Sequence, residues 1–179
     1  MVAIFKKGKK WQDIEYFNED WKKRISLMAG FIDKGSSVMD LGCGKMWLHE
    51  FLPANCRYIP VDYIQRSPEC MVADFNKSQF PDTSADTAFI SGCLEYIRDY
   101  KWFLTETASR TDKIILSYCT IELFPDKAER KSYHWVNHLS ADEIIDFLSS
   151  LNFSLQHSSI TKDRNHIFIF ARCRKMPVT

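Results

Sequence analysis

The sequence has no apolar run approaching the roughly 18 residues that a membrane-spanning helix needs. Met1 to Phe5 is apolar, but charge begins at Lys6, and the n-region, h-region and cleavage site of a secretory signal are missing. No C-x-x-C pair occurs among Cys43, Cys56, Cys70, Cys93, Cys119 and Cys173, and their spacing fits no zinc pattern. Scattered single cysteines in a domain this size read as buried thiols of a reducing compartment. A cytoplasmic location without a bound metal is therefore expected. An excess of one charge sign is lacking too: 24 basic residues face 23 acidic ones, for a net charge of +1. That excludes a general polyanion binder, so neither nucleic acid nor a membrane is expected as a partner. Internal repeats, low-complexity tracts and Pro/Gly/Ser-rich linkers are absent, which leaves one domain over residues 1–179. The sequence fixes no oligomeric state.

What is present is an ordinary globular composition, 45% hydrophobic and 26% charged, with 13 phenylalanines to build an aromatic core. A chain of 179 residues hides about 70% of its unfolded surface. The periodicity predicts a helix from Asp13 to Ile32, with Lys22, Lys23 and Arg24 on a solvated face. Residues 1–35 are thus expected to form an N-terminal helical cap. Strands are predicted at Ser37–Leu41, Arg57–Asp62, Cys70–Asp74, Thr87–Ser91 and Lys113–Tyr118. Pro60 weakens the second, since proline donates nothing to a ladder. Helices are predicted over Lys45–Leu52 and Tyr96–Ser109. Ser140 and Glu143 form a capping box, with Leu139 and Ile144 at the staple positions of a further helix. Phe153–Ile160 and His166–Cys173 close the chain as strands. The alternation implies an α/β fold with a mainly parallel sheet. Only Thr161 to Asn165 separate the last two strands, too few for a parallel crossover, so the last strand enters antiparallel.

The chemistry begins at Val38-Met39-Asp40-Leu41-Gly42-Cys43-Gly44-Lys45, a strand running through a glycine turn into a helix. Glycines there allow positive φ and close backbone approach to a ligand. In open α/β sheets the ligand lies beyond the carboxyl ends of the strands. A dinucleotide fingerprint needs a third glycine, and Trp47 stands in its place. The P-loop Gly-Lys-Ser/Thr is absent as well. Asp40, just before the turn, repels a pyrophosphate and suits an ammonium group. Asp62 ends the second strand, where a carboxylate accepts from both ribose hydroxyls. Tyr63 is placed to pack on an adenine face. Asp74 is placed to accept from the adenine amino group, with the Phe75 amide on a ring nitrogen. Ser91 and Cys93 border the same crevice.

These residues resemble the first motif and strand-end acids of class I S-adenosylmethionine-dependent methyltransferases, closest to the small bacterial type 11/12 domains. The resemblance runs from Val38 to about Cys173. It also takes in Phe89-Ile90-Ser91-Gly92-Cys93-Leu94-Glu95-Tyr96-Ile97 and Asn137-His138-Leu139-Ser140. It implies a Rossmann-like three-layer sandwich whose seven-stranded sheet ends in an antiparallel strand. It also implies S-adenosylmethionine as cofactor, held by Asp40, Leu41, Gly42, Cys43, Gly44, Asp62, Tyr63, Asp74, Phe75 and Ser91. Met46 departs from the family's third small residue, and Arg110-Thr111-Asp112 replaces its Pro-Gly-Gly turn.

Methyl transfer to a hydroxyl calls for a base, and His is the usual one. His138, with His134 behind it, is the candidate. Residues 120–138, with Phe124, Tyr133 and Trp135, are expected to form a substrate cover. The absence of Asn/Asp-Pro-Pro-Tyr and of Pro-Cys speaks against nucleic-acid methylation. The expected acceptor is the oxygen or nitrogen of a small molecule, such as a sugar or another metabolite. The competing reading is a methyltransferase-like S-adenosylmethionine-binding or interaction module without turnover. A third reading, an NAD-dependent oxidoreductase, is disfavoured by Trp47, Asp40 and the terminal hairpin.

Overall fold

The computed structural model describes residues 18–173. The elements in chain order are α1 (Trp21–Ala29), β1 (Ser37–Leu41), a 3-10 helix (Trp47–Phe51), β2 (Arg57–Asp62), β3 (Met71–Val72) and β4 (Thr87–Ser91). Then follow α2 (Tyr100–Arg110), β5 (Lys113–Tyr118), α3 (Lys127–Ser132), α4 (Ala141–Ser150), β6 (Phe153–Ile160) and β7 (His166–Arg172). One seven-stranded sheet has the order β3-β2-β1-β4-β5-β7-β6. β1 to β5 pair in parallel, and β7 runs antiparallel to both β5 and β6. The short final connection dictates that reversal, as the five-residue spacing requires.

The two-residue period of the strands sorts the core into two layers. Ile114, Leu116, Tyr118, Phe168 and Phe170 point to one face, against Phe103 and Leu104 of α2 and Ile144 and Leu148 of α4. Ile115, Ile167 and Ile169 point to the other, against Met28 of α1 and Leu48. The central strands are therefore buried on both faces, as a continuous apolar run requires.

Pro60 is accommodated because Val61 O accepts from the amides of Gly42 and Cys43 (2.8 and 3.0 Å) and so faces β1. Pro60, one residue earlier, faces the opposite side, where β3 begins only opposite Val61. Several predicted elements are shorter than expected. The third strand shrinks from Cys70–Asp74 to Met71–Val72 because the Asp74 carboxylate accepts from Asn76 N at 3.1 Å and caps a 3-10 turn. The predicted Lys45–Leu52 helix is the 3-10 helix Trp47–Phe51, entered through Met46 at φ +57°. α2 starts at Tyr100, not Tyr96, because Asp99 caps it by accepting from Trp102 N at 3.0 Å. The capping box forms as read: Ser140 Oγ accepts from Glu143 N (3.0 Å) and Glu143 accepts from Ser140 N (2.7 Å). Of the predicted first helix, residues 18–32 are described and only α1, Trp21–Ala29, is helical, with turns at residues 19–20 and 30–31; Asp13 to Phe17, including Tyr16, lies outside the described residues, as does the basic start. Cys43, Cys70 and Cys119 are buried thiols, whereas Cys56 and Cys93 are half-buried and Cys173 is exposed. No helix among the described residues is long and apolar enough to cross a membrane.

Candidate functional site

A cavity of about 780 Å³ opens at the carboxyl ends of β1, β2 and β4. The tight turn after β1 shapes its floor. Gly42 and Gly44 have φ of +81° and +52°, which L side chains rarely adopt. A Cβ on Gly42 would also lie 2.6 Å from Cys93 Sγ. Gly42→Ala is therefore expected to cost about 1–3 kcal/mol of stability through strain and to block ligand entry at the turn. Thermal unfolding and ligand calorimetry check this, and an unchanged affinity would remove the turn from the site.

Three carboxylates stand along the rim. Asp40 is buried, and its Oδ2 accepts from Tyr58 OH at 2.7 Å. Burial pushes its pKa up to about 7; the Tyr58 hydroxyl pulls it down and nearby Asp62 pushes it up. Asp62 Oδ2 accepts from Gly44 N at 3.0 Å and Oδ1 from Ile64 N at 3.1 Å. Arg66 Nη2 lies 3.3 Å from Asp62 Oδ1, and both side chains are nearly buried. Asp74 is half-buried and pairs with Lys77 at 3.2 Å.

Asp40, Gly42, Cys43, Gly44 and Asp62 all line the cavity. So do Tyr63, Asp74, Phe75 and Ser91. Leu41 does not: strand alternation turns it into the core with Met39. Neither His134 nor His138 lines the cavity. His134 is exposed at φ +62°. His138 Nδ1 accepts from Arg130 Nε at 2.9 Å, which occupies the lone pair a base needs. Burial lowers its pKa, and Arg130, Lys127 and Lys131 lower it further. His134 and His138 are therefore not placed to act on a molecule in the cavity.

The structure adds residues that the sequence reading did not single out. Arg24, expected on a solvated face, is 7% exposed and lines the cavity. Its Nε donates to Ser91 Oγ at 3.2 Å and its Nη1 to Asn165 Oδ1 at 2.8 Å. Spacing held a signal for it: Arg24 stands three residues after Trp21 and four before Met28, on the stripe that meets the sheet. The 120–138 segment holds α3, where Arg130 is fully buried. Phe124, Tyr133 and Trp135 of this segment line the cavity, with Trp135 stacked edge-on to Phe124 at 5.3 Å.

No family model matches the sequence, and no curated protein matches it. Solved structures do match the fold. One is a Burkholderia thailandensis 1,6-didemethyltoxoflavin-N1-methyltransferase with 1,6-didemethyltoxoflavin and S-adenosylhomocysteine bound. It is 15% identical, with TM-score 0.66, over 91% of this chain and 82% of that one. A second is the magnesium protoporphyrin IX methyltransferase of Synechocystis with bound S-adenosylhomocysteine, 15% identical, TM-score 0.64, over 84% and 83%. A third is an O-methyltransferase from neocarzinostatin biosynthesis in complex with S-adenosylmethionine and 2-hydroxy-5-methyl naphthoic acid. It is 13% identical, TM-score 0.65, over 92% of this chain and 62% of that one.

Proposed function

We propose that this chain, whose fold is that of the class I methyltransferases, transfers a methyl group from S-adenosylmethionine to an oxygen or nitrogen of a small-molecule acceptor. The observation that carries the reading is the row of three acids, Asp40, Asp62 and Asp74, around the bare glycine turn on one rim of the cavity. The donor set suits an adenosyl amino acid. Asp40 would hold the ammonium group, and Arg24, a buried cation whose hydrogen bonds go to neutral groups, would hold the carboxylate. Asp62, braced by two amides, would take the ribose hydroxyls in place of Arg66. Tyr63 would pack on the adenine and Asp74 would accept from its amino group.

The bound cofactor supplies an electrophilic methyl on its sulfonium. The chain's contribution is placement: the turn and Cys93 fix one end, and the acceptor is held against it in line. Phe124, Tyr133 and Trp135 make the remaining wall, the role expected for a substrate cover. That these aromatics border an open cavity, and do not fill the turn, supports an enzyme over a module without turnover. The similar folds that act on small ring molecules support a small-molecule acceptor. Calorimetry tests the reading. S-adenosylhomocysteine is expected to bind roughly tenfold or more tightly than NAD, and the reverse order would remove it.

A further inference from the structure

With both histidines outside the cavity, one buried carboxylate lines it that no step above uses. Glu95 sits in the 3-10 turn Leu94–Tyr96 after β4, is 2% exposed, and lines the cavity. Its Oε1 accepts from Cys119 N at 2.9 Å, which ties this turn to the end of β5. Its Oε2 is buried with no hydrogen-bond partner, the one such carboxylate oxygen among the described residues. An unpaired buried carboxylate oxygen calls for a donor. Position says where that donor comes from. On one side of Glu95, Cys93 Sγ stands over Gly42 in the cofactor turn. On the other, Glu95 O accepts from Val136 N at 2.8 Å, next to Trp135 in the aromatic wall. Glu95 therefore stands where the two halves of the cavity meet.

We propose that Glu95 Oε2 is the proton acceptor of the reaction, and that the acceptor substrate is a flat aromatic or heteroaromatic molecule presenting an O–H or N–H to it. The proposal rests on the methyl-transfer reading above. As the acceptor's lone pair attacks the methyl carbon, the C–S bond breaks and its electrons stay on sulfur. The O–H or N–H proton passes to Glu95. Products are the methylated acceptor and S-adenosylhomocysteine, and the proton leaves to water after release. The groups facing Glu95 suit this task. Burial raises its pKa, while Arg24 from α1 and Arg130 from α3 hold it down. Cys93 and Tyr96 on its own turn, Tyr118 of β5 and Cys119 just after it are themselves raised by burial and stay neutral.

The test uses the full chain saturated with S-adenosylhomocysteine, and naphthol against its methyl ether. Calorimetry is expected to show naphthol binding about tenfold or more tightly than the ether, a preference that Glu95→Gln removes. The amide can still accept from Cys119 N, so S-adenosylhomocysteine affinity should be unchanged. With S-adenosylmethionine and naphthol, Glu95→Gln should slow methyl transfer about 10²-fold or more and flatten the acid limb of its pH profile. Equal binding of naphthol and ether by the wild type, or a preference that survives in Glu95→Gln, overturns the assignment of Glu95. Failure of both ring compounds to bind overturns the flat-aromatic class. Failure of the wild type to bind S-adenosylhomocysteine instead sinks the methyl-transfer reading itself. If Glu95→Gln does not fold, the wild-type comparison alone decides.

Discussion

Arg130→Ala is expected to cost about 3–5 kcal/mol of stability, because it leaves several buried acceptors unpaired at about 1–3 kcal/mol each. The guanidinium is fully buried and makes its hydrogen bonds to uncharged groups. Nη1 donates to Cys119 O at 2.7 Å, Nη2 to Tyr118 OH at 2.9 Å and Nε to His138 Nδ1 at 2.9 Å. Its flat face lies 4.8 Å from the Trp135 ring centroid. Truncation leaves those acceptors unpaired in the interior and takes the support from behind the aromatic wall. Tyr118 shares the network: its hydroxyl accepts from Leu139 N at 3.0 Å and donates to Asn137 Oδ1 at 2.5 Å. Tyr118→Phe should therefore be far from additive with Arg130→Ala in a double-mutant cycle. Urea unfolding measures both. A loss below about 1 kcal/mol for Arg130→Ala, with clean additivity, would show that the segment stands without the knot.

Asp40→Asn is expected to weaken S-adenosylhomocysteine binding about 10- to 100-fold, the worth of one charge-assisted hydrogen bond. The wild type should show a pH dependence that the variant lacks. Burial holds the Asp40 pKa at about 7, so below that value the empty site carries a neutral acid. An ammonium ligand needs the carboxylate. Affinity should thus rise by up to about tenfold per pH unit below 7 and level off above it, with a proton released on binding. Calorimetry in buffers of different ionisation heat counts that proton.

Stability moves the opposite way. The Asp40 pKa is about 7 folded against about 3.9 unfolded. The folded state holds the proton more tightly, so this contribution is full below about pH 4 and is lost as pH rises through 7. At pH 8 the ionised buried group costs up to about 4 kcal/mol, and Asp40→Asn should unfold at a higher temperature than the wild type there. A variant that binds as well as wild type, or melts lower at pH 8, contradicts the role given to Asp40.

How much of the site was legible varied with how local its cause is. The glycine turn, Asp40 and Asp62 could be read, because a strand of fixed period delivers its last residues to the sheet rim whatever packs around it; Asp74 lies two residues past β3, where it caps a 3-10 turn and still lines the cavity. The same period sent Leu41 inward, so not every residue of the turn motif lines the cavity. The histidines misled, because residue type names a candidate base but only packing decides what fills its lone pair. Arg130, in the middle of a charged stretch, fills that of His138. Arg24 carried a weak spacing signal. Glu95 carried none, since its orphan oxygen depends on where β5 and the 120–138 segment come to rest.

By itself the sequence determined the α/β class, the order of the strands along the chain, the capped helix α4 and the reversal of the last strand. Each follows from spacing and from connections too short to allow anything else. The tertiary structure alone decided which charged side chains are buried, and therefore which can act. Arg24 reads as a solvated charge in the chain, nothing local marks Glu95 or Arg130 as buried, and the environments of all three come from contacts with distant segments. Desolvation is a property of the assembled neighbourhood, not of the residue, and it sets the charge states on which the chemistry of this cavity rests.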